Sequence, residues 1–117
     1  MIGTSRNVTV RAYATPVDMR KSFDTLAMLV TAAGFVATSG ELFLFVGRDR
    51  TRAKVLFWDG TGLCVFAKRL ERGRFASPWT SDGAVMQLTT TELALFLEGS
   101  TLVGKVPLSP SAMKVGA

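Results

Sequence analysis

Residues 41–70, "ELFLFVGRDRTRAKVLFWDGTGLCVFAKRL", decide how this chain folds. Three apolar runs, 41–47, 53–60 and 63–70, are separated by the short polar links "RDRTR" and "DGTG". Runs of this length, rich in Val, Leu, Phe and Trp, suit strands. Asp59-Gly60 and Gly62 favour the positive φ that tight hairpins need. We therefore expect a three-stranded antiparallel meander. Almost every position in it is apolar, so both sheet faces should be covered.

The flanks supply the cover. Residues 7–14, "NVTVRAYA", alternate Val8, Val10 and Ala12 against Thr9, Arg11 and Tyr13, the period of a half-buried strand. After "TP" at 15–16, Met19, Phe23, Leu26, Ala27, Val30 and Ala33 recur at helical spacing, and Gly34 offers the stop. The N-cap is Thr15 with Pro16 behind it, or else Ser22. Within that helix Arg20 and Asp24 stand at the spacing of an ion pair. Residues 83–88 suit one more strand, and 7–14 or 83–88 is the expected sheet edge. In "LTTTELALFLEG" (88–99), Thr89 and Glu92 form a capping box flanked by Leu88 and Leu93 as a hydrophobic staple. Leu93, Phe96 and Leu97 then share a face, and Gly99 ends the helix. The expected fold is a single small α+β domain over 1–100, a central antiparallel β-meander with two helices. Residues 101–117, with two prolines, read as a flexible tail.

Composition narrows the function classes. Histidine is absent from the 117 residues, which removes the commonest general base and zinc ligand. The one cysteine, Cys64, has no disulfide partner within the chain and reads as a core residue of a reducing, cytoplasmic protein. The longest apolar run, five residues, is far below a membrane span, and the opening "MIGTSRNVTVRA" has no signal-peptide core. We expect no membrane partner and no cofactor.

Charge is the informative feature. Of the net +5, residues 1–47 carry +1 and 75–117 carry −1, so 48–74, with eight cations and three anions, carry the whole excess. In an up-and-down meander "RDRTR" lies at the same end as "KRLERGR" (68–74). Arg48, Arg50 and Arg52 should therefore join Lys68, Arg69, Arg72 and Arg74 in one basic patch. Such a patch suits the phosphates of a nucleic acid, with a solvated rim as the plain alternative. Phe75 and Trp79 beside it are base-stacking candidates or, more simply, loop anchors. The carboxylates Asp18, Asp24, Glu41, Asp49, Asp59 and Glu71 lack paired spacing such as D-x-D, so we assign no metal site and no catalytic residue. "GTG" at 60–62 leads into a strand, which makes it a hairpin turn rather than a phosphate loop.

Three segments carry a family resemblance: "DMRKSFDTLAMLV" (18–30), "KVLFWDGTGLCVFAKRLERGRF" (54–75) and "LTTTELALFLEG" (88–99). Over about residues 8–100 the chain resembles the small accessory proteins, TnpB, of the insertion-sequence-66 family of bacterial mobile elements. Ser22 stands where that family usually has glycine, and Phe57-Trp58 where it often has Trp-Trp. The resemblance implies a non-enzymatic accessory role in DNA transposition, beside a larger transposase that cuts and joins the DNA. It brings no catalytic residues. Two partners then stay open for the basic patch: DNA, or an acidic surface of the transposase on which the protein docks as an adaptor. A homo-oligomer through an open sheet edge is a further possibility.

Overall fold

The computed structural model describes residues 8–99. Position 7 of the first expected strand and the 101–117 tail lie outside the described residues. Strands β1 (Val10–Ala12), β2 (Leu42–Val46), β3 (Arg52–Trp58), β4 (Leu63–Arg69) and β5 (Met86–Leu88) form one sheet in the order β4-β3-β2-β1-β5. Helix α1 (Phe23–Ala32) follows β1, and α2 (Thr90–Glu98) follows β5.

The expected meander is present. β2 pairs antiparallel with β3, Phe43 opposite Leu56, and β3 pairs with β4 from Arg52–Arg69 to Trp58–Leu63. Asp59 shapes the β3–β4 turn, its Oδ1 accepting from the Thr61 and Gly62 N–H groups at 2.9 and 3.0 Å. The sheet as a whole is mixed, because β1 runs parallel to β2 and antiparallel to β5. A parallel neighbour needs a long crossover, and α1 provides it. β1 is therefore an inner strand. Of the two expected edges only β5 is one, and the other edge is β4.

Both faces are covered, as the apolar runs require. Val17, Leu26 and Val30 bury Phe43, Phe45 and Leu56 on the α1 face. Leu93 and Phe96 of α2, with Phe75, Ala76 and Leu88, bury Leu44, Val46, Ala53 and Val55 on the other. All five residues of β2 are buried, which explains why no polar residue interrupts "LFLFV".

Helix ends follow from side-chain chemistry. Ser22 is the α1 N-cap. Residues 15–21 are not helical, so Arg20 does not reach Asp24. It forms a two-pronged ion pair with Asp18 instead, Nη2 to Oδ2 at 2.7 Å. At the other end Gly34, at φ +92°, lets its N–H reach Thr31 O while Phe35 N reaches Val30 O. That double closure satisfies carbonyls that the helix leaves free. In α2 the capping box is complete: Glu92 N donates to Thr89 Oγ1 at 3.1 Å and Thr89 N to Glu92 Oε1 at 2.8 Å. Glu92 is buried by this role, and Leu88 and Leu93 are buried on either side.

The capping box yields a direct expectation. Thr89→Ala removes one of its two bonds and should cost about 1 kcal/mol. Urea unfolding should show a lower midpoint at unchanged m, and an unchanged midpoint would contradict the role.

Candidate nucleic-acid interface

The basic residues are placed by two turns that meet at one end of the meander. Between β2 and β3 the chain reverses through 48–51, with Arg50 N donating to Gly47 O at 2.9 Å and Gly47 N to Arg52 O at 3.0 Å. Asp49 tightens the turn, its Oδ1 accepting from Thr51 N and Thr51 Oγ1. Arg50 occupies the left-handed region at φ 62°, unusual for a residue with a side chain. It is held there from across the sheet. Phe75 N donates to Arg50 O at 2.6 Å, and Arg50 Nη1 donates back to Phe75 O at 3.2 Å. Leu70 N, where β4 ends, donates to Thr51 O at 2.8 Å. The 48–52 and 68–75 stretches are thus stitched together.

The seven cations divide into two kinds. Two have structural duties. Arg50 locks the turn to Phe75, and Lys68 passes under α2 to donate from Nζ to Leu97 O at 2.7 Å. That carbonyl belongs to the last turn of the helix, where a cation satisfies both a free acceptor and the helix dipole. The other five, Arg48, Arg52, Arg69, Arg72 and Arg74, are exposed, and among the described residues none has a carboxylate within ion-pair distance.

Arg52 and Arg69 stand apart even within that group. They are direct cross-strand partners. The hydrogen-bonded pairs flanking them are Thr51–Leu70 and Ala53–Lys68, so 52–69 is a non-hydrogen-bonded pair, with Cα atoms about 4.5 Å apart and side chains at their closest. Both project on the α1 face, the side of Lys54 and Leu56. Like charges directly opposite each other destabilise a sheet. Asp49 offsets them only in part; its carboxyl is lowered first by the Thr51 hydrogen bonds and further by the Arg52 charge.

An open cleft of about 530 Å³ adjoins this pair, lined by Pro16, Asp18, Met19, Arg48, Asp49 and Arg52 among others. The aromatic residues beside the patch are anchors. Phe75 is fully buried and stacks on Phe96 with ring centroids 5.0 Å apart, while Trp79 packs against the same core. Phe75 offers no ring to a base, and Trp79 is only partly exposed.

Four of the six candidate carboxylates, Asp18, Glu41, Asp49 and Asp59, are occupied locally. Glu41 pairs with Arg11 at 2.9 Å, and the Arg11 guanidinium also lies 4.5 Å above the Phe35 ring. Hydrogen bonds from Arg20 hold Asp18 well below the usual carboxylate range, and the Thr61 and Gly62 N–H groups lower Asp59. No group of three or more Asp, Glu or Cys side chains suited to a metal gathers among the described residues. The Cys64 thiol is pushed up, chiefly by burial, so it is not an activated nucleophile. No helix among the described residues is long and apolar enough to cross a membrane.

Comparison with known proteins gives one family match and two similar proteins. The family model described as "IS66 Orf2 like protein" matches residues 8–105. Two proteins of Sinorhizobium fredii (strain NBRC 101917 / NGR234), each described as uncharacterized, are similar over nearly their whole length. The protein y4hO is 36% identical over 100 residues, covering 85% of this chain and 86% of its own. The protein y4jC is 33% identical over 100 residues, covering 85% of each. No solved structure matches the chain.

Two expectations follow from the division of the cations. Lys68→Met should lower stability by about 1–2 kcal/mol, because a charge-assisted bond to Leu97 O is lost. Arg69→Met, one residue away, should leave stability unchanged or slightly raised, since a like-charge contact is relieved. Equal losses in chemical denaturation would contradict the division. The carboxylates set the pH response. Asp18, Asp49 and Asp59 have folded-state values below their unfolded ones. Their stabilisation is therefore complete above about pH 5 and is lost as pH falls through the depressed values. The thermal midpoint should fall on acidification below about pH 4; a midpoint that rises there would be inconsistent with these contacts.

Proposed function

The chain belongs to the IS66 Orf2-like family of transposition-associated accessory proteins, and from that premise we propose that it is a non-catalytic factor that holds DNA by its phosphates. The observation that carries this reading is the Arg52–Arg69 pair: two exposed arginines, directly opposed on one sheet face, without a carboxylate partner among the described residues. A phosphate between them replaces repulsion with two charge-assisted contacts. Arg48, Arg72 and Arg74, on the adjoining turn and loop, extend the same surface along a backbone. Arg50 and Lys68 support it from within, by fixing the turn and the end of α2. Phosphate contacts position a protein on the duplex without choosing a sequence. That suits an accessory factor whose partner transposase performs the cutting and joining.

Titration against duplex DNA over a salt series tests the proposal. Affinity should fall with salt at a slope of about 0.9 per phosphate neutralised. Arg52→Gln with Arg69→Gln should lower that slope by about 2, while Lys68→Gln should leave it unchanged once folding is verified. Absence of binding at low salt overturns the proposal. If the protein then co-purifies with the transposase after nuclease treatment, the patch serves an adaptor instead.

A further inference from the structure

Strand β4 closes one side of the sheet, and its outer backbone has no partner among the described residues. Thr51–Leu70 and Asp59–Gly62, at 2.8 and 3.1 Å, are hydrogen-bonded pairs at its two ends. Alternation between these fixed points aims the backbone groups of Cys64, Phe66 and Lys68 at β3. The N–H and C=O groups of Leu63, Val65, Ala67 and Arg69 therefore point outward. Apart from the exposed charge of Arg69 at one end, the usual protections of such an edge are missing. The strand has no proline, its register with β3 runs unbroken over seven pairs, and its lysine is tied to α2. At its centre it exposes Phe66, at 46%.

That centre is also a centre of symmetry. A second copy laid antiparallel about Phe66 sets Phe66 against Phe66, Val65 against Ala67, Cys64 against Lys68 and Leu63 against Arg69. Every outward residue then falls in a hydrogen-bonded pair. Phe66 falls in a non-hydrogen-bonded pair, where facing side chains come closest. Charge selects both the occupant and the direction. The cations lie at one end of the strand only, so an antiparallel copy opposes Lys68 and Arg69 with uncharged residues. A parallel copy in register would set Arg69 against Arg69.

We propose that the chain self-associates through β4 as an antiparallel two-fold dimer centred on Phe66, with one sheet continuous across both copies. The two-fold axis runs perpendicular to the sheet, so both α1 helices lie on one face, and the two Arg52–Arg69 pairs lie on that same face. The dimer does not depend on what those arginines bind.

Light scattering on the full chain at high micromolar concentration should give twice the 12.6 kDa of one chain. Ala67→Pro removes only an outward N–H, which an edge strand tolerates, and should return the mass to one chain with circular dichroism unchanged. In a Cys64→Ser background, Phe66→Cys should oxidise to a covalent dimer, whereas Met28→Cys, at a site 69% exposed on α1, should not. A single-chain mass at every concentration overturns the proposal. So does a dimer that survives Ala67→Pro and crosslinks through position 28 rather than 66. If the chain's own residues 100–117 occupied this edge, the wild type would stay single and position 66 would not crosslink, which also overturns it.

Discussion

The reciprocal bond between Arg50 and Phe75 is the constraint on which the rest of the arrangement depends. Their backbones meet at 2.6 Å, and the Arg50 guanidinium returns to the Phe75 carbonyl at 3.2 Å. It forces a side-chain-bearing residue into the left-handed region, at a typical cost of about 1–2 kcal/mol. In return it delivers Phe75 into the core against Phe96. The loop leaving β4 is thereby fixed at both ends, and its arginines are held beside the β2–β3 turn. Without that bond, 71–75 would be a charged loop of undefined direction.

One consequence is that neighbouring cations do different work. Alternation along β4 sends Lys68 to the α2 face and Arg69 to the α1 face. Lys68 meets the end of a helix, where free carbonyls and the dipole favour a positive charge. Arg69 meets Arg52, with no carboxylate at ion-pair distance from either among the described residues. Net charge alone would have counted them as equals. The structural cations stabilise the chain in any solution, whereas the free ones matter only when an anionic partner is present and salt is low enough for it to be felt.

Where local chemistry sets local structure, the sequence was a sufficient guide. The β2–β3–β4 meander is legible because its apolar runs and its turn residues agree, and α2 because capping box, staple and terminal glycine all mark the same span. The convergence of 48–52 with 68–74 followed from connectivity. The parallel seating of β1 did not, because alternation in "NVTVRAYA" fixes a face and not a neighbour. The four-residue spacing of Arg20 and Asp24 pairs them only within a helix, but α1 starts at Phe23, and Asp18 lies nearer. The period of two already separated Lys68 from Arg69, but which face holds the end of α2 is tertiary information. The Arg50–Phe75 bond spans 25 residues, and no local pattern announces it.

The central claim is that the five free arginines, and not the structural cations or the outer face of α1, form the anion-binding surface. Chemical-shift mapping of the ¹⁵N-labelled protein with a short DNA duplex addresses it most directly, since arginine Nε–H signals report each guanidinium. The largest changes should appear at Arg48, Arg52, Arg69, Arg72 and Arg74, with little at Met28, Thr31 or Val36. Changes centred on α1, or spread evenly over every exposed cation including Arg20, would contradict it.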